Sequence, residues 1–136
     1  MTTTVLWFRR DLRLGHHPAL AAAIGAGDRV LALFVVDPKL VGPAGAPRLA
    51  FLYGCLRDLD ESLDGRLVVR TGDPVSVVPR LAAAVDADAV FVSADFGPYG
   101  RRRDNAVEAA LAGDGRRLER VGSPYAVEPG SLTSGS

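Results

Sequence analysis

Four short apolar runs recur along this chain of 136 residues, and their spacing constrains the fold more than any other feature. They cover residues 5–8 (Val-Leu-Trp-Phe), Arg29–Val36, 66–70 and Ala89–Ser93. The apolar stretches within them lack the polar–apolar alternation of a half-exposed strand, so both faces of each strand are expected to be buried. The last three stop at turn residues, namely Asp37-Pro38, Thr71-Gly72-Asp73-Pro74 and Asp95-Phe96-Gly97-Pro98. A weaker fifth run covers 118–121. Helical stretches fill the intervals at Pro18–Ala26, 46–63, 74–85 and about 100–111. Strands buried on both faces and alternating with helices predict a parallel sheet covered on both sides. Right-handed crossovers then give a doubly wound, Rossmann-like α/β sandwich of three layers around a five-stranded parallel sheet.

Helix signals agree. Asp73 before Pro74 is a capping residue followed by proline at the first helical position. Leu49, Leu52, Leu56, Leu59 and Leu63 recur at spacings of three and four, a buried stripe, with Cys55 beside it as a small core residue. After Val121 the composition becomes that of a linker, so residues 1–122 are expected to form the domain and 123–136 a connection.

Composition narrows the function. Hydrophobic residues make up 48%, enough for one core, while sixteen basic and sixteen acidic residues leave no net charge. That balance argues against a domain whose main work is holding a phosphate backbone. One cysteine excludes an internal disulfide, and the adjacent His16 and His17 lack metal-ligand spacing on a helix. The Met-Thr-Thr-Thr start is unlike a secretion signal, and no run reaches membrane-spanning length, so a cytoplasmic location without membrane contact is expected.

In such a sheet, ligands gather outside the carboxyl ends of the strands. Asp11, Asp37 and Asp95 fall there, with Asp37 and Asp95 expected at neighbouring strand ends. The first strand runs into Arg9, Arg10, Asp11 and Arg13 without a glycine-rich turn, so binding of a dinucleotide or ATP through such a loop is disfavoured. This cluster either binds an anion or pairs with carboxylates across a domain interface, and Asp11 is a local partner. A second cluster, 95–104, leaves the fourth strand through a loop punctuated by glycine and proline. Arg101, Arg102 and Arg103 then enter a helix against its dipole, so helix stability alone does not explain them. They either form a solvated run paired with Asp104 and Glu108 or border a ligand-facing loop. No nucleophile with its base, metal-ligand set or paired acid–base device is evident.

The string Trp7-Phe8-Arg9-Arg10-Asp11-Leu12-Arg13-Leu14 resembles the amino-terminal signature of the DNA photolyase/cryptochrome family. The resemblance continues in Leu33 to Pro38, in Arg48-Leu49-Ala50-Phe51-Leu52 with Gly54-Cys55-Leu56, in Gly72-Asp73-Pro74, and in Asp-x-x-Pro-Tyr-Gly-Arg-x-Arg-Asp from Asp95 to Asp104. These matches fall in order along essentially the whole chain, which looks most like the amino-terminal α/β domain of bacterial class I cyclobutane-dimer photolyases.

The resemblance implies a light-harvesting domain. Its antenna chromophore passes excitation to FAD in a separate helical domain, where reduced flavin splits a pyrimidine dimer flipped from DNA. The partners implied are that carboxy-terminal FAD domain and, through it alone, damaged DNA; no catalytic residue is carried over to this chain. Position by position, the antenna pocket would take Phe34, Val35 and Asp37 from the second strand's end. Arg48, Phe51 and Leu52 would come from the second helix, and Asp95, Phe96, Gly97, Tyr99 and Arg101 from the fourth-strand loop. Arg9, Arg10, Asp11 and Arg13 would serve the domain interface. The pattern favours 8-hydroxy-5-deazaflavin over methenyltetrahydrofolate as chromophore. Two departures stand out. His16-His17 replace a usual Asp-Asn, which bears on the first helix's cap, and Gly97 stands where many members carry Glu. A cryptochrome-like photoreceptor and a stand-alone nucleotide-binding α/β module are the alternative readings.

Overall fold

The computed structural model describes residues 1–41 and 45–122. The expected linker at 123–136 lies outside them. Five strands, β1 (Thr3–Phe8), β2 (Arg29–Val36), β3 (Val68–Thr71), β4 (Ala89–Ser93) and β5 (Arg117–Val121), form one sheet in the order β3-β2-β1-β4-β5. All four pairings are parallel, and Phe8 pairs with Phe34 at the carboxyl end of β1. The helices are α1 (Pro18–Ala26), α2 (Pro38–Val41), α3 (Ala46–Ser62), α4 (Pro74–Ala84) and α5 (Pro98–Ala112).

Alternation along the central strand divides the core in two. Val5 and Trp7 pack with Leu33, Val35, Val90 and Val92 against Val78 and Ala82 of α4 and Val107 and Leu111 of α5. Leu6 and Phe8 pack with Phe34, Val36 and Phe91 against Ala19 and Ala23 of α1 and Leu56 and Leu59 of α3. Both faces are thus dry along β1, β4 and the carboxyl half of β2, as the unbroken apolar runs require, whereas the edge strand β3 departs from the expected two-sided burial: none of its residues is buried and Val69 is exposed.

Element boundaries move where side chains compete for the backbone. β3 begins two residues after the expected start because the Leu67 amide donates to Asp60 Oδ1 at 3.0 Å and not to the ladder. α5 begins at Pro98, not Gly100, since Gly97 takes the cap position and proline suits the first turn. The short α2 was not expected; Asp37 Oδ1 accepts the Lys39 amide at 3.0 Å and starts it. At α1 the departure at His16-His17 has a structural answer. His17 is the N-cap, its Nδ1 accepting the Leu20 amide at 3.1 Å, and His16 takes a left-handed φ of 50° to bring it there.

Candidate functional site

A cleft of about 940 Å³ opens at the carboxyl edge of the sheet. Its walls come from the ends of β1 and β2, the first three turns of α3 and the loop from β4 into α5. Of the residues named from the sequence, Phe34, Val35, Asp37, Arg48, Phe51, Leu52, Asp95, Gly97 and Tyr99 line it. Phe96 and Arg101 do not. Phe96 is half-buried in the loop, and Arg101 is exposed one step round the helix from the buried face formed by Gly100, Asp104, Val107 and Leu111. Arg103 takes the place expected of Arg101 in the cleft wall. Cys55, expected in the core, is half-buried and lines the cleft as well.

Asp37 and Asp95 do not stand at neighbouring strand ends. β1 lies between β2 and β4, so the two carboxylates flank it. The Tyr99 hydroxyl spans that gap by donating to Asp37 Oδ2 at 2.8 Å. Asp95 Oδ1 accepts the Gly97 amide at 3.0 Å, closing the turn, and Oδ2 accepts from Arg103 Nη2 at 3.2 Å. Burial pushes the Asp95 carboxyl up, but the Gly97 amide and the charges of Arg103 and Arg9 outweigh it and hold it below its ordinary value.

Beneath the cleft lies a charge network in which Asp104 does pair with the arginine run, as expected, but buried and shared with Arg9 and not solvated. Arg9 turns inward and donates to Asp104 Oδ1 and to the Ser93 carbonyl. Arg103 Nε donates to the same Asp104 oxygen at 3.0 Å. The two guanidinium carbons lie 4.8 and 5.5 Å from the centroid of the Trp7 ring, Arg9 being the nearer, so the chain's single tryptophan forms the floor of this network. Asp104, only 1% exposed, compensates both cations. Its position at a four-residue step from Gly100 and three before Val107 places it on the apolar stripe of α5, and that spacing was the available signal. Glu108, expected to serve this arginine run, instead meets Arg120 at 3.2 Å on the surface.

Asp11 is likewise not the partner of Arg9's side chain. Its Oδ1 accepts the Arg9 amide at 2.9 Å, while Oδ2 accepts the Ser93 hydroxyl and lies 2.8 Å from His17 Nε2. Because His17 Nδ1 is an acceptor, the ring proton of the neutral imidazole sits on Nε2, facing that carboxylate. Burial raises the Asp11 carboxyl, yet hydrogen bonds from His17, Ser93 and the Arg9 amide prevail and hold it far below the ordinary carboxylate range. The group ties β1, β4 and α1 together at the sheet edge. Arg10 and Arg13 are exposed and line the cleft.

The donor set suits a planar ring. Phe34, Leu49, Phe51 and Leu52 supply apolar surface, and Asp37, Tyr99 and Asp95 supply a few fixed polar groups, the usual make-up of a small-molecule cleft. Among the described residues, no group of His, Cys, Asp and Glu is arranged to hold a metal, and no helix is long and apolar enough to cross a membrane.

Comparison with known proteins gives the lineage. The DNA photolyase family model matches residues 4–136. A deoxyribodipyrimidine photo-lyase from a Synechococcus strain is 39% identical over 97% of this chain and 28% of its own length. Its counterpart from Streptomyces griseus is 42% identical over 87% of this chain and 27% of its own. The chain thus spans little more than a quarter of these relatives. An archaeal photolyase from Sulfolobus tokodaii, whose structure holds two FAD molecules and implicates a novel light-harvesting cofactor, superposes with a TM-score of 0.84. It is 29% identical over 96% of this chain and 31% of that one. The chain belongs to the DNA photolyase family and forms its amino-terminal α/β domain.

Proposed function

We propose that this domain is the light-harvesting part of a deoxyribodipyrimidine photolyase, and that its cleft holds the antenna chromophore. In the whole protein, the chromophore absorbs near-ultraviolet or blue light and passes the excitation to FAD in a helical domain. That domain carries the repair of cyclobutane pyrimidine dimers in DNA.

One observation carries the reading: a cleft of about 940 Å³ at the carboxyl edge of a doubly wound sheet, with apolar surface from Phe34, Leu49, Phe51 and Leu52 and a few polar groups, Asp37, Tyr99 and Asp95, at its rim. A flat heterocycle fits there with its face against Phe34, Phe51 and Leu52. Its edge meets the fixed groups of Asp37, Tyr99 and Asp95. Tyr99 and Arg103 hold the carboxylates in place, and the dry floor around Trp7 keeps water from beneath the ring. Of the two chromophores considered, 8-hydroxy-5-deazaflavin is preferred. The Phe34-to-Pro38 and Arg48-to-Leu52 patterns support it, and Arg48 and Phe51 border the cleft together. Gly97 leaves room at the α5 entrance, where a Glu side chain would reach into the same space.

The test is a visible-absorption titration of the purified chain with 8-hydroxy-5-deazaflavin, and with methenyltetrahydrofolate in parallel. A saturable, red-shifted band with the deazaflavin, weakened in Phe51→Ala and Asp37→Ala, is the expected result. A folded chain that shifts the spectrum of neither compound would overturn the antenna role.

A further inference from the structure

Three cation–π contacts occur among the described residues, and all three fall at the cleft. Arg9 and Arg103 both lie over Trp7, and the Arg103 guanidinium carbon is also 5.8 Å from the centroid of the Tyr99 ring. Trp7 and Tyr99 line the cleft and, among the described residues, are its only tryptophan and tyrosine. These are the side chains of the wall that release an electron most readily; the phenylalanines beside them hold theirs far more tightly. Each oxidisable ring of the cleft thus carries a guanidinium, and Arg103 serves both.

The cations are held in place and poorly screened. Asp104 binds Arg9 and Arg103 through one oxygen, and Asp95 binds Arg103 from the partly exposed rim. The side chains of Arg9 and Arg103 are 12% and 10% exposed and Trp7 is 2% exposed, so little water weakens the field of the cations at the ring. Asp104 balances only one of the two charges over Trp7.

A light-absorbing ring in the cleft makes such neighbours a hazard, because an excited ring is a strong oxidant. It takes one electron from the Trp7 indole, which leaves an indole radical cation and a ring radical anion. From Tyr99 it takes one electron while the hydroxyl proton passes to Asp37 Oδ2, the acceptor at 2.8 Å. Either pair recombines by returning the electron, and the excitation ends as heat. A cation over an aromatic face stabilises the neutral ring and destabilises its oxidised form, so the electron becomes harder to remove.

We propose that Arg103 and Arg9 guard the excited state: their guanidinium groups keep Trp7 and Tyr99 from donating an electron to the ring bound in the cleft. The proposal rests on the chromophore reading and adds to it the residues that prevent quenching at that site.

The chain is loaded with 8-hydroxy-5-deazaflavin, and the emission lifetime of the bound ring is compared in the parent, in Arg103→Gln and in Trp7→Phe/Tyr99→Phe/Arg103→Gln. A lifetime reports the bound ring whatever the occupancy, so weaker binding alone does not move it. Asp104 retains Arg9 in Arg103→Gln, and circular dichroism checks the fold. The lifetime in that variant is expected to fall at least about twofold, since losing a unit charge so close to both rings speeds the electron transfer. Removing both oxidisable rings should restore it. An unchanged lifetime in Arg103→Gln, or a shortened one that the loss of both rings leaves short, would overturn the guard. So would a tryptophan or tyrosyl radical that forms in the parent itself as the emission decays, followed by transient absorption with no substitution needed. In each of these outcomes the ring is bound and the antenna reading stands, whereas a folded parent chain that binds no ring would overturn both.

Discussion

The Tyr99 hydroxyl donates to Asp37 Oδ2 at 2.8 Å, joining the first turn of α5 to the exit of β2 on the far side of β1. The bond is the one direct side-chain link across the cleft among the hydrogen bonds of the described residues. It raises the Tyr99 hydroxyl above its ordinary value, first through the hydrogen bond to Asp37 and then through burial and the carboxylate's charge. A raised value means that the folded state favours the protonated phenol. The associated stability is fully present below the ordinary tyrosine value, about 10, and is lost as pH rises through the folded one. Tyr99→Phe is expected to cost about 1 kcal/mol at neutral pH and to remove that alkaline loss. Urea denaturation from neutral to strongly alkaline pH checks both. A phenol absorbance titration in which Tyr99→Phe removes a component ionising above the ordinary tyrosine value, about 10, checks the assignment.

The Asp104 network tests the floor of the cleft. Burial lowers the Arg9 guanidinium from its ordinary value, and the hydrogen bond and charge of Asp104 oppose that shift. Removing the carboxylate leaves two largely buried cations without their shared partner. Asp104→Asn is therefore expected to destabilise the domain by about 3 kcal/mol. The chain's single tryptophan lies under both guanidinium groups, so its emission should change in the folded variant as well. A denaturation midpoint and emission spectrum matching the parent protein would show that the network carries little.

Acid stability should follow Asp11. Its carboxyl is held far below its unfolded value, about 4, so it stabilises the fold above that value and stops doing so as pH falls through the folded one. Asp95 adds a shift of the same sign. Unfolding free energy measured between pH 5 and pH 2, taken as about one unit above and two below the ordinary value, is expected to fall steeply in the parent chain. In Asp11→Asn the slope should be visibly flatter, from a lower starting stability. Parallel curves would remove Asp11 from the account.

These networks also show what was legible in the sequence. The central strands were, because two-sided burial leaves an unbroken apolar run, and so was the parallel, doubly wound sheet that such runs demand; the edge strand β3 shows a similar run without that burial. Of the cleft residues, Asp37 and the loop from Asp95 to Tyr99 were marked by local punctuation, whereas Phe34, Val35, Arg48, Phe51 and Leu52 were implied by the family resemblance alone. Strand order was not. Nothing local says that β1 separates β2 from β4, and so Asp37 and Asp95 were expected side by side. Pairing across the fold was equally hidden. Arg9 meets Asp104, 95 positions away, in preference to Asp11, two away, whose carboxylate is drawn off by Ser93 and His17. Proximity in the chain is a poor guide where a turn offers stronger partners. The buried face of α5 was readable through Gly100, Asp104, Val107 and Leu111, but a charged residue on an apolar stripe is easily assigned to the solvent side.

Gly100 and Gly97 separate two uses of glycine in one loop. A Cβ on Gly100 would lie 2.1 Å from Asp95 Oδ2 and 2.2 Å from its carboxyl carbon, so any side chain there displaces Asp95. At Gly97 the nearest atom to such a Cβ is Asp95 Oδ1 at 3.4 Å, an ordinary contact. Neither glycine needs a left-handed backbone, so the contrast is one of space alone. Gly100→Ala is expected to break the Asp95–Arg103 contact and weaken ring binding by about tenfold, which corresponds to a loss of about 1.4 kcal/mol. Gly97→Ala should leave the fold within about 0.5 kcal/mol of the parent. Chemical shifts of the Arg103 side chain, with ligand titrations of both variants, decide the matter. If Gly100→Ala binds as the parent does, Asp95 does not need to be held in place, and the carboxylates at the cleft edge are turn caps alone.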